Sequence, residues 1–251
     1  MISEPVRIRV KGPWACFTRP EFKVERVSYP VITPSAARGI LEAILMKPIE
    51  KPEADKRGNK TGFRWCVLRI GIIKEGILVP ILRNELKTDK IAYSGRASLP
   101  VDISNAETTH TQRHSLILKD VEYLIEAVIE VPPYAQKFSR EFLIAKYHQM
   151  FLRRAGSGQC FHRPYLGCRE FSCDFELAPH VEPPNLKKDY GRMLRDIEFS
   201  QLWDEWKDGA PPPEQWPLLR RNSFHAKAEN GWIAVARVIG NNGKPEVEEV
   251  C

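Results

Sequence analysis

The chain has 251 residues, of which 43% are hydrophobic and 28% are charged, so it is long enough to bury a core and is not disordered. Its 38 lysines and arginines against 32 aspartates and glutamates give a net charge of +6, which favours an anionic partner without identifying one. The first residues lack the basic segment followed by an apolar one that is typical of a signal peptide. No apolar run reaches the length of about 18 residues that a membrane-spanning helix requires. We therefore expect a cytoplasmic protein without a membrane segment.

Six cysteines are scattered along the chain without a C-x-x-C pair, a pattern that favours reduced thiols over disulfides. Cys160, His162, Cys168 and Cys173 are close in sequence and belong to the residue types that zinc prefers. If residues 166–175 form a strand, however, Cys168 and Cys173 point to opposite faces and cannot easily share one ion. We therefore expect buried free thiols, no metal and no cofactor.

The first elements are a strand and a helix. Residues 6–11 alternate apolar and basic side chains, which predicts a strand with one buried face and one positively charged face. Thr33 followed by Pro34 predicts the start of a helix, and apolar residues at helical spacing continue to Leu45. The polar residues 49–62 then predict an exposed connection.

The next elements are strands, a second helix and a further strand. Residues 64–73 and 77–82 are separated by Lys-Glu-Gly and predict a hairpin with a tight turn. Residues 122–131 resume a strand pattern with β-branched side chains. Ser139 is the predicted N-cap of a second helix, which ends at glycines and is followed by a strand at 166–175.

The order strand, helix, strand, strand, helix, strand is typical of ferredoxin-like folds, which include RNA-recognition modules. From residue 178 the composition shifts to prolines and polar residues, with strand candidates at 193–199 and 231–239. We therefore expect an α+β protein. A ferredoxin-like (RRM-like) N-terminal domain would span residues 1–177, and a small antiparallel β C-terminal domain would span residues 178–251.

Several stretches carry a resemblance to a known family: residues 15–29, 33–44 with Lys47-Pro48, and 166–171, with weaker likeness at 83–85 and 118–127. They resemble the Cas five subunit of type I-C CRISPR systems, subtype Dvulg. The matching stretches follow one another in order over nearly all of the first 175 residues, which makes the resemblance more specific than a single short motif.

The resemblance implies a function in antiviral defence. Members of this family cut the repeat hairpin of CRISPR precursor RNA without a metal, which leaves a 2′,3′-cyclic phosphate. They then hold the 5′ handle of the mature crRNA within an interference (Cascade) complex, beside backbone subunits of the Cas seven type and a large subunit of the Cas eight type. The alternative is a catalytically inactive subunit that binds the crRNA handle and supports assembly. An unrelated α+β metabolic enzyme is less favoured, because the sequence contains no cofactor motif.

Metal-free RNA cleavage requires a base, a cation beside the phosphate and an acid. The resemblance implies a Tyr or His at the position of Leu45, which cannot transfer a proton. It implies a Lys-His pair at the positions of Lys146 and Tyr147, and His148 follows them. Lys146, Tyr147 and His148 are our catalytic candidates. Helical neighbours lie about 100° apart, so Lys146 and Tyr147 can share a target, whereas Lys146 and His148 point about 160° apart. Tyr147 also lies one turn from apolar residues on either side, which fits a core aromatic equally well.

Ten basic residues are our candidates for RNA binding: Arg19, Lys23, Arg26, Arg38, Lys47, Arg153, Arg154, His162, Arg163 and Arg169. The first three are interleaved with Phe17, Phe22 and Tyr29, a pattern that suits phosphate contact and base stacking. His162 follows a glycine-bearing segment and is a second candidate acid or base, although an exposed loop histidine fits the sequence as well. The arginines at the end of the second helix are also favoured by its dipole.

Overall fold

The computed structural model describes residues 1–22, 24–47, 62–86, 110–131, 139–197, 221–241 and 244–249. The helices are α1 (Pro34–Ile44) and α2 (Arg140–Gly156). The strands are β1 (Val6–Ala15), β2 (Arg26–Val27), β3 (Arg64–Lys74), β4 (Ile77–Leu86), β5 (His110–Glu130), β6 (Asp174–Leu177), β7 (Lys188–Ile197), β8 (Arg221–Glu229), β9 (Trp232–Ala234), β10 (Ala236–Asn241) and β11 (Lys244–Glu249). Neither of the two helices in these ranges is long and apolar enough to cross a membrane.

One large sheet organises the described part of the chain. Its strands follow the order β6-β1-β5-β3-β9-β8-β7, while β2 and β4 also pair with β5 and the strands β10 and β11 form a separate pair. Every pairing is antiparallel except that of β2 with β5. A mostly antiparallel sheet with two helices confirms the expected α+β class.

The two helix starts are as predicted from their capping residues. The Thr33 hydroxyl accepts a hydrogen bond from the Ala36 amide at 3.3 Å, and the Ser139 hydroxyl accepts one from the Phe142 amide at 3.1 Å. Each bond satisfies an amide that has no partner within its own helix. α1 packs against β3 and β7, while α2 packs against β5 and β6.

The predicted hairpin at residues 64–82 is wrong. β3 and β4 do not pair with each other; both pair with the 21-residue β5, β3 with its second half and β4 with its first half. Gly76, with a φ of +85°, therefore lies at a bend between β3 and β4, which run in the same direction along β5. Asp120, in the part of β5 beside this bend, also has a positive φ of 56°. A side chain at Gly76 would approach Val121 to 2.6 Å, so glycine is required there for both its φ and its size.

The predicted strand at residues 166–175 is also wrong, since β6 begins only at Asp174. Residues 157–173 form an irregular connection, here named the α2–β6 loop, which contains a tight turn closed by the Leu166 amide and the Phe171 carbonyl at 2.7 Å. Gly167 has a φ of +85°, and a Cβ there would lie 2.0 Å from the Cys16 carbonyl oxygen. The backbone of the loop therefore packs directly against the end of β1, which only glycine allows.

The C-terminal strands continue the sheet. β9 pairs with β3 and β8, and the central guanidinium carbons of Arg7 and Arg69 lie 5.0 and 4.1 Å from the ring centre of Trp232. The strand candidates at 193–199 and 231–239 coincide with parts of β7, β9 and β10, although residues 198 and 199 lie outside the described residues. The domain division after residue 177 stays a prediction.

Candidate nucleic-acid interface

The C-terminal end of α1 is a junction between four parts of the chain. The Ala43 carbonyl accepts hydrogen bonds from the Phe161 and His162 amides at 2.8 and 3.1 Å. The Ile44 carbonyl accepts from the Arg154 guanidinium at 3.0 Å, and the indole N–H of Trp65 donates to the next carbonyl at 2.9 Å. These bonds satisfy carbonyls that the helix itself leaves without partners, and they fix β3, α2 and the α2–β6 loop around one point.

Leu45 lies at this junction and is fully buried in the core. It is the C-cap residue of α1, with extended backbone angles. A buried aliphatic side chain therefore fills the position at which the family pattern has a Tyr or His. Met46 and Lys47 follow immediately and are exposed.

Tyr147 and Lys146 have opposite environments on α2. Tyr147 is buried, with its ring centre 4.9 Å from that of Phe63, and burial raises the pKa of its phenol. Lys146 is exposed one position earlier. The core-aromatic alternative therefore describes the packing of Tyr147, while Lys146 is available to a phosphate.

His148 lies on the other flank of α2 from Lys146. It is half-buried, and burial lowers its imidazole pKa below the usual value against the opposing influence of the Glu4 carboxylate. The histidine is therefore neutral at pH 7 and can accept a proton. Because α2 is continuous from Arg140 to Gly156, the expected separation of about 160° between Lys146 and His148 applies, and one phosphate cannot contact both.

Arg153 and Arg154 differ in what they contact. Arg153 is exposed and lies seven residues, or nearly two turns, after Lys146, so these two cations share one flank of α2. Arg154 is half-buried and donates to the Ile44 carbonyl, which gives it a structural contact at the helix junction. The exposed flank formed by Lys146 and Arg153 is here named the cationic flank of α2.

The α2–β6 loop presents aromatic and basic side chains to solvent. Phe161 is 70% exposed and Tyr165 is 41% exposed, and the ring of His162 lies 4.4 Å from that of Phe161. Arg163 pairs with Asp174 at 2.5 Å, and Arg169 is exposed. Exposed aromatics between cations are the pattern on which unpaired bases stack, and the sequence reasoning did not select these two.

The aromatics that were selected from residues 17–29 do not form a stacking surface. Phe17 and Tyr29 are each 2% exposed and belong to the core, so their interpretation as stacking residues is wrong; Phe22 is exposed. The burial of the first two could not be read from residue spacing, because this segment has no regular period apart from β2.

The basic candidates of the same segment have partners within the protein. The Arg19 guanidinium lies 4.8 Å from the ring centre of Tyr29, while Arg26 pairs with Glu85 at 3.5 Å and contacts the Cys168 sulfur at 3.6 Å. Lys23 lies outside the described residues. An RNA-binding role for these residues stays a prediction.

The basic face of β1 is neutralised by carboxylates from neighbouring strands. Arg7 donates to Glu126 at 2.7 Å and Arg9 pairs with Glu122. Burial alone would raise the pKa of Glu126, but hydrogen bonds from Arg69 and Arg7 lower it below its usual value. Arg7 and Arg9 of the predicted positively charged face therefore belong to an ion-pair network, while Lys11 is exposed.

Arg38 and Lys47 lie towards opposite ends of α1. Arg38 pairs with Glu42 at 3.4 Å and lines a cleft of about 350 Å³ next to the first half of the helix. Lys47 is exposed beyond the other end, and its carbonyl accepts a hydrogen bond from the Phe63 amide at 3.1 Å. Lys47 therefore lies beside Phe63, whose ring contacts Tyr147.

The cysteines within the described ranges, Cys16, Cys66, Cys160, Cys168 and Cys173, carry free thiols. In the same part of the chain, no group of three His, Cys, Asp or Glu side chains comes close enough to hold a metal ion. That the reaction needs no metal stays a prediction.

A family model and the curated relatives point to the same protein family. A family model described as CRISPR-associated protein (Cas_Cas5) matches residues 6–236. Curated relatives named CRISPR pre-crRNA endoribonuclease Cas5d include one from Thermus thermophilus, 39% identical over 239 residues that cover 92% of this chain and 90% of the relative. Another, from Mannheimia succiniciproducens, is 39% identical over 211 residues that cover 79% and 87%. A solved CRISPR-associated protein shares the fold, with a TM-score of 0.57 and 20% identity over 93% of this chain and 92% of that one.

Proposed function

This chain belongs to the CRISPR-associated Cas5 family, in its type I-C branch, and we propose that it is an endoribonuclease that cuts CRISPR precursor RNA at the repeat hairpin. The observation that carries the proposal is the 39% identity, over 92% of this chain, to a relative named for that activity. The exposed cations and aromatics around the end of α1 support it, because they suit a single-stranded RNA beside a hairpin.

The proposed reaction is a metal-independent transesterification. The 2′-oxygen attacks the adjacent phosphorus while a base takes its proton, the bond from phosphorus to the 5′-oxygen breaks, and an acid supplies a proton to that oxygen. The upstream fragment then ends in a 2′,3′-cyclic phosphate. We assign the neutralisation of the pentacoordinate phosphate to Lys146, because it is exposed on the cationic flank of α2 and carries a compact charge.

Three side chains of the described residues are our candidates for proton transfer. Tyr147 is buried with a raised pKa, so its phenol is protonated near neutral pH and gives up its proton less readily than a free tyrosine, and His148 lies on the flank opposite Lys146. His162 is exposed on the loop, which is hydrogen-bonded to the end of α1. We therefore place His162 before His148 and Tyr147 as the acid or base.

The test is cleavage of a labelled type I-C repeat hairpin in the presence of EDTA, with a copy that carries 2′-deoxyribose at the cut site. We expect cutting of the first RNA only, and a loss of about 10²–10³ in rate for Lys146→Ala. Lys187→Ala removes the same charge from an exposed position before β7 and is the matched control, with an unchanged rate. Cutting that requires a divalent metal would refute the mechanism.

The histidine assignment has its own readout. His162→Ala should remove one limb of the pH–rate profile measured under single-turnover conditions, whereas His148→Ala should leave both limbs in place. If His148→Ala alone changes the profile, the roles of the two histidines are exchanged and the RNA lies on the other side of α2.

A second candidate function is a non-catalytic subunit that binds the crRNA handle. The buried Leu45 and the buried Tyr147 favour it, because two positions with proton-transfer roles in the family's pattern are then closed to RNA. Tight binding of the repeat without any cutting, by protein whose melting transition shows that it is folded, would establish this function instead.

The proposal includes an architecture, partners and a location. The order β6-β1-β5-β3, with α1 and α2 as the crossing helices, supports a ferredoxin-like arrangement in residues 1–177, followed by a small β domain. After cutting, the chain would stay on the 5′ handle and bind backbone subunits of the Cas seven type and a large subunit of the Cas eight type. A cytoplasmic location fits a substrate that is an RNA transcript.

A further inference from the structure

We infer that the cleft beside the first half of α1 holds one unpaired nucleotide, with its base stacked on Tyr165 and its phosphate beside Arg38. The inference rests on the proposed function, because it takes RNA as the ligand. It adds a recognition pocket separate from the cationic flank of α2. The cleft measures about 350 Å³, near the lower end of the ~300–1,000 Å³ range of small-molecule pockets. That size suits one nucleotide.

The lining of the cleft combines apolar and polar groups as a nucleotide requires. Phe17 and Leu194 are buried side chains that line it on the core side, and Tyr165 provides an exposed aromatic ring. The hydroxyls of Thr33 and Ser35 lie 3.1 Å apart in the same lining. A base can therefore stack on an aromatic ring while the Ser35 hydroxyl and the Arg38 guanidinium lie in the same lining for the sugar and phosphate.

Tyr165 is held in place by the backbone on both sides. The Cys173 amide donates to the Pro164 carbonyl and the Cys16 amide donates to the Leu166 carbonyl, each at 3.0 Å. Tyr165 itself forms an isolated β-bridge with Ser172. An aromatic ring that is exposed on a fixed backbone is prepared for stacking, since little of the backbone must be ordered when a base binds.

Arg38 supplies the positive charge of the cleft. It forms an i,i+4 pair with Glu42 at 3.4 Å, and both side chains are partly exposed. Exposed pairs of this kind are weak, so a phosphate can compete with the carboxylate for the guanidinium.

Gly39 is the next residue in the lining. A Cβ at this position would meet no atom of the described residues within 4 Å, so their packing does not require a glycine. Glycine is nevertheless unfavourable inside a helix compared with alanine. A ligand that approaches the helix backbone closely explains why this position lacks a side chain.

The pocket and the loop segment that carries His162 lie at opposite ends of α1. Ser35 and Ala43 are eight residues apart, which corresponds to about 12 Å along α1. The α2–β6 loop follows the same length, with Phe161 bonded at the Ala43 end and Tyr165 at the cleft. A short stretch of single-stranded RNA that crosses α1 would contact both exposed aromatics.

The test measures binding alone, with a repeat RNA made uncleavable by 2′-deoxyribose at the cut site. Abasic nucleotides are placed one at a time through the single-stranded flank, and Kd is measured for the wild-type protein and for Tyr165→Ala. We expect one position at which removal of the base weakens binding to the wild-type protein roughly 5- to 100-fold relative to the intact RNA. With the RNA that is abasic at this position, Tyr165→Ala should bind as weakly as the wild type, because the stacking contact is already lost.

Three variants complete the design. Tyr165→Phe should keep the affinity because the stacking ring remains, and Leu82→Ala should keep it because that exposed apolar side chain lies outside the cleft. Gly39→Ala should raise the melting temperature and weaken binding at the same time, an opposite change that general damage to the fold would not produce.

The outcomes separate this inference from the proposed function. If wild-type protein binds and cuts the repeat but Tyr165→Ala binds as tightly as wild type, or if its effect is additive with every abasic position, the pocket is refuted and the nuclease stands. If the non-additive position is found but no RNA is cut, the pocket stands and the nuclease fails. If the repeat is not bound at all, the pocket is refuted together with its ligand.

Discussion

Replacing Glu126 with alanine should cost more stability than any single exposed ion pair of the sheet. Its carboxylate accepts hydrogen bonds from Arg7 and Arg69 at 2.7 Å each, and the side chains of Glu126 and Arg7 are only 12% and 11% exposed. Without it, the guanidinium groups of Arg7 and Arg69, which lie on the strands either side of Glu126, would lose the carboxylate that they share. Removing one partner of a buried pair typically costs about 3–5 kcal/mol, and we expect the lower end because Arg69 is partly exposed.

Glu130→Ala is the matched control, because Glu130 lies four residues later on the same strand and pairs with the largely exposed Arg64. An exposed pair contributes about 0–1 kcal/mol, so this variant should be nearly neutral. The measurement is the free energy of unfolding from urea denaturation of the two variants and the wild type. A loss for Glu126→Ala no larger than that for Glu130→Ala would refute the reasoning.

The same carboxylate predicts how acid affects the fold. Because the folded-state pKa of Glu126 is lowered, its contribution is complete above the unfolded-state value near 4.5 and is lost as the pH falls through the folded-state value. Glu126→Gln should therefore flatten the dependence of unfolding free energy on pH below about 4.5. An unchanged slope in that variant would contradict the assignment.

Three further predictions concern single positions. Thr33→Ala removes the N-cap hydrogen bond of α1 and should lower the unfolding free energy by about 1 kcal/mol in urea melts, whereas Ser35→Ala should change it by less than half as much. Gly167→Ala places a Cβ against the Cys16 carbonyl at a positive φ and should cost about 1–3 kcal/mol; a neutral result in the same assay would contradict the close packing of the loop. His148→Gln removes a group whose folded-state pKa is lowered, so the wild type but not the variant should lose stability as the pH falls below about 6.5, and equal slopes would show that the histidine is not buried.

The helices were predictable from sequence because their signals are local. Thr33 with Pro34, and Ser139 three residues before the amide that it caps, define the helix starts whatever the rest of the chain does. Apolar residues at helical spacing then identify the buried side. The α+β class followed from these two helices and the β-branched residues between them.

The sheet connections were less predictable because one local signal fits two structures. Lys-Glu-Gly before β4 is typical of a hairpin turn, but a glycine at positive φ also allows a strand to bend without reversing. Only the partner strand decides between them. Here β5 is long enough to pair with both segments, whereas the strand predicted at residues 122–131 covers only its second half.

The candidate site was predicted in part. Lys146 lies exposed on the second helix as the family pattern implies, and Leu45 is closed to proton transfer. The exposed aromatics Phe161 and Tyr165 were missed, because whether a ring is exposed depends on the tertiary packing around it. Phe17 was misassigned for the same reason.

The placement of β9 beside β3 has a consequence for the order of folding during synthesis. The register pairs Ile70 with Ile233, so residues more than 160 positions apart must meet before this side of the sheet is complete. Contacts so distant in sequence slow folding, and on the ribosome the edge of β3 stays unpaired until the last part of the chain emerges. A nascent chain would therefore expose the unpaired edge of β3 for most of its translation. If synthesis stalls, this edge could pair with another chain and start aggregation.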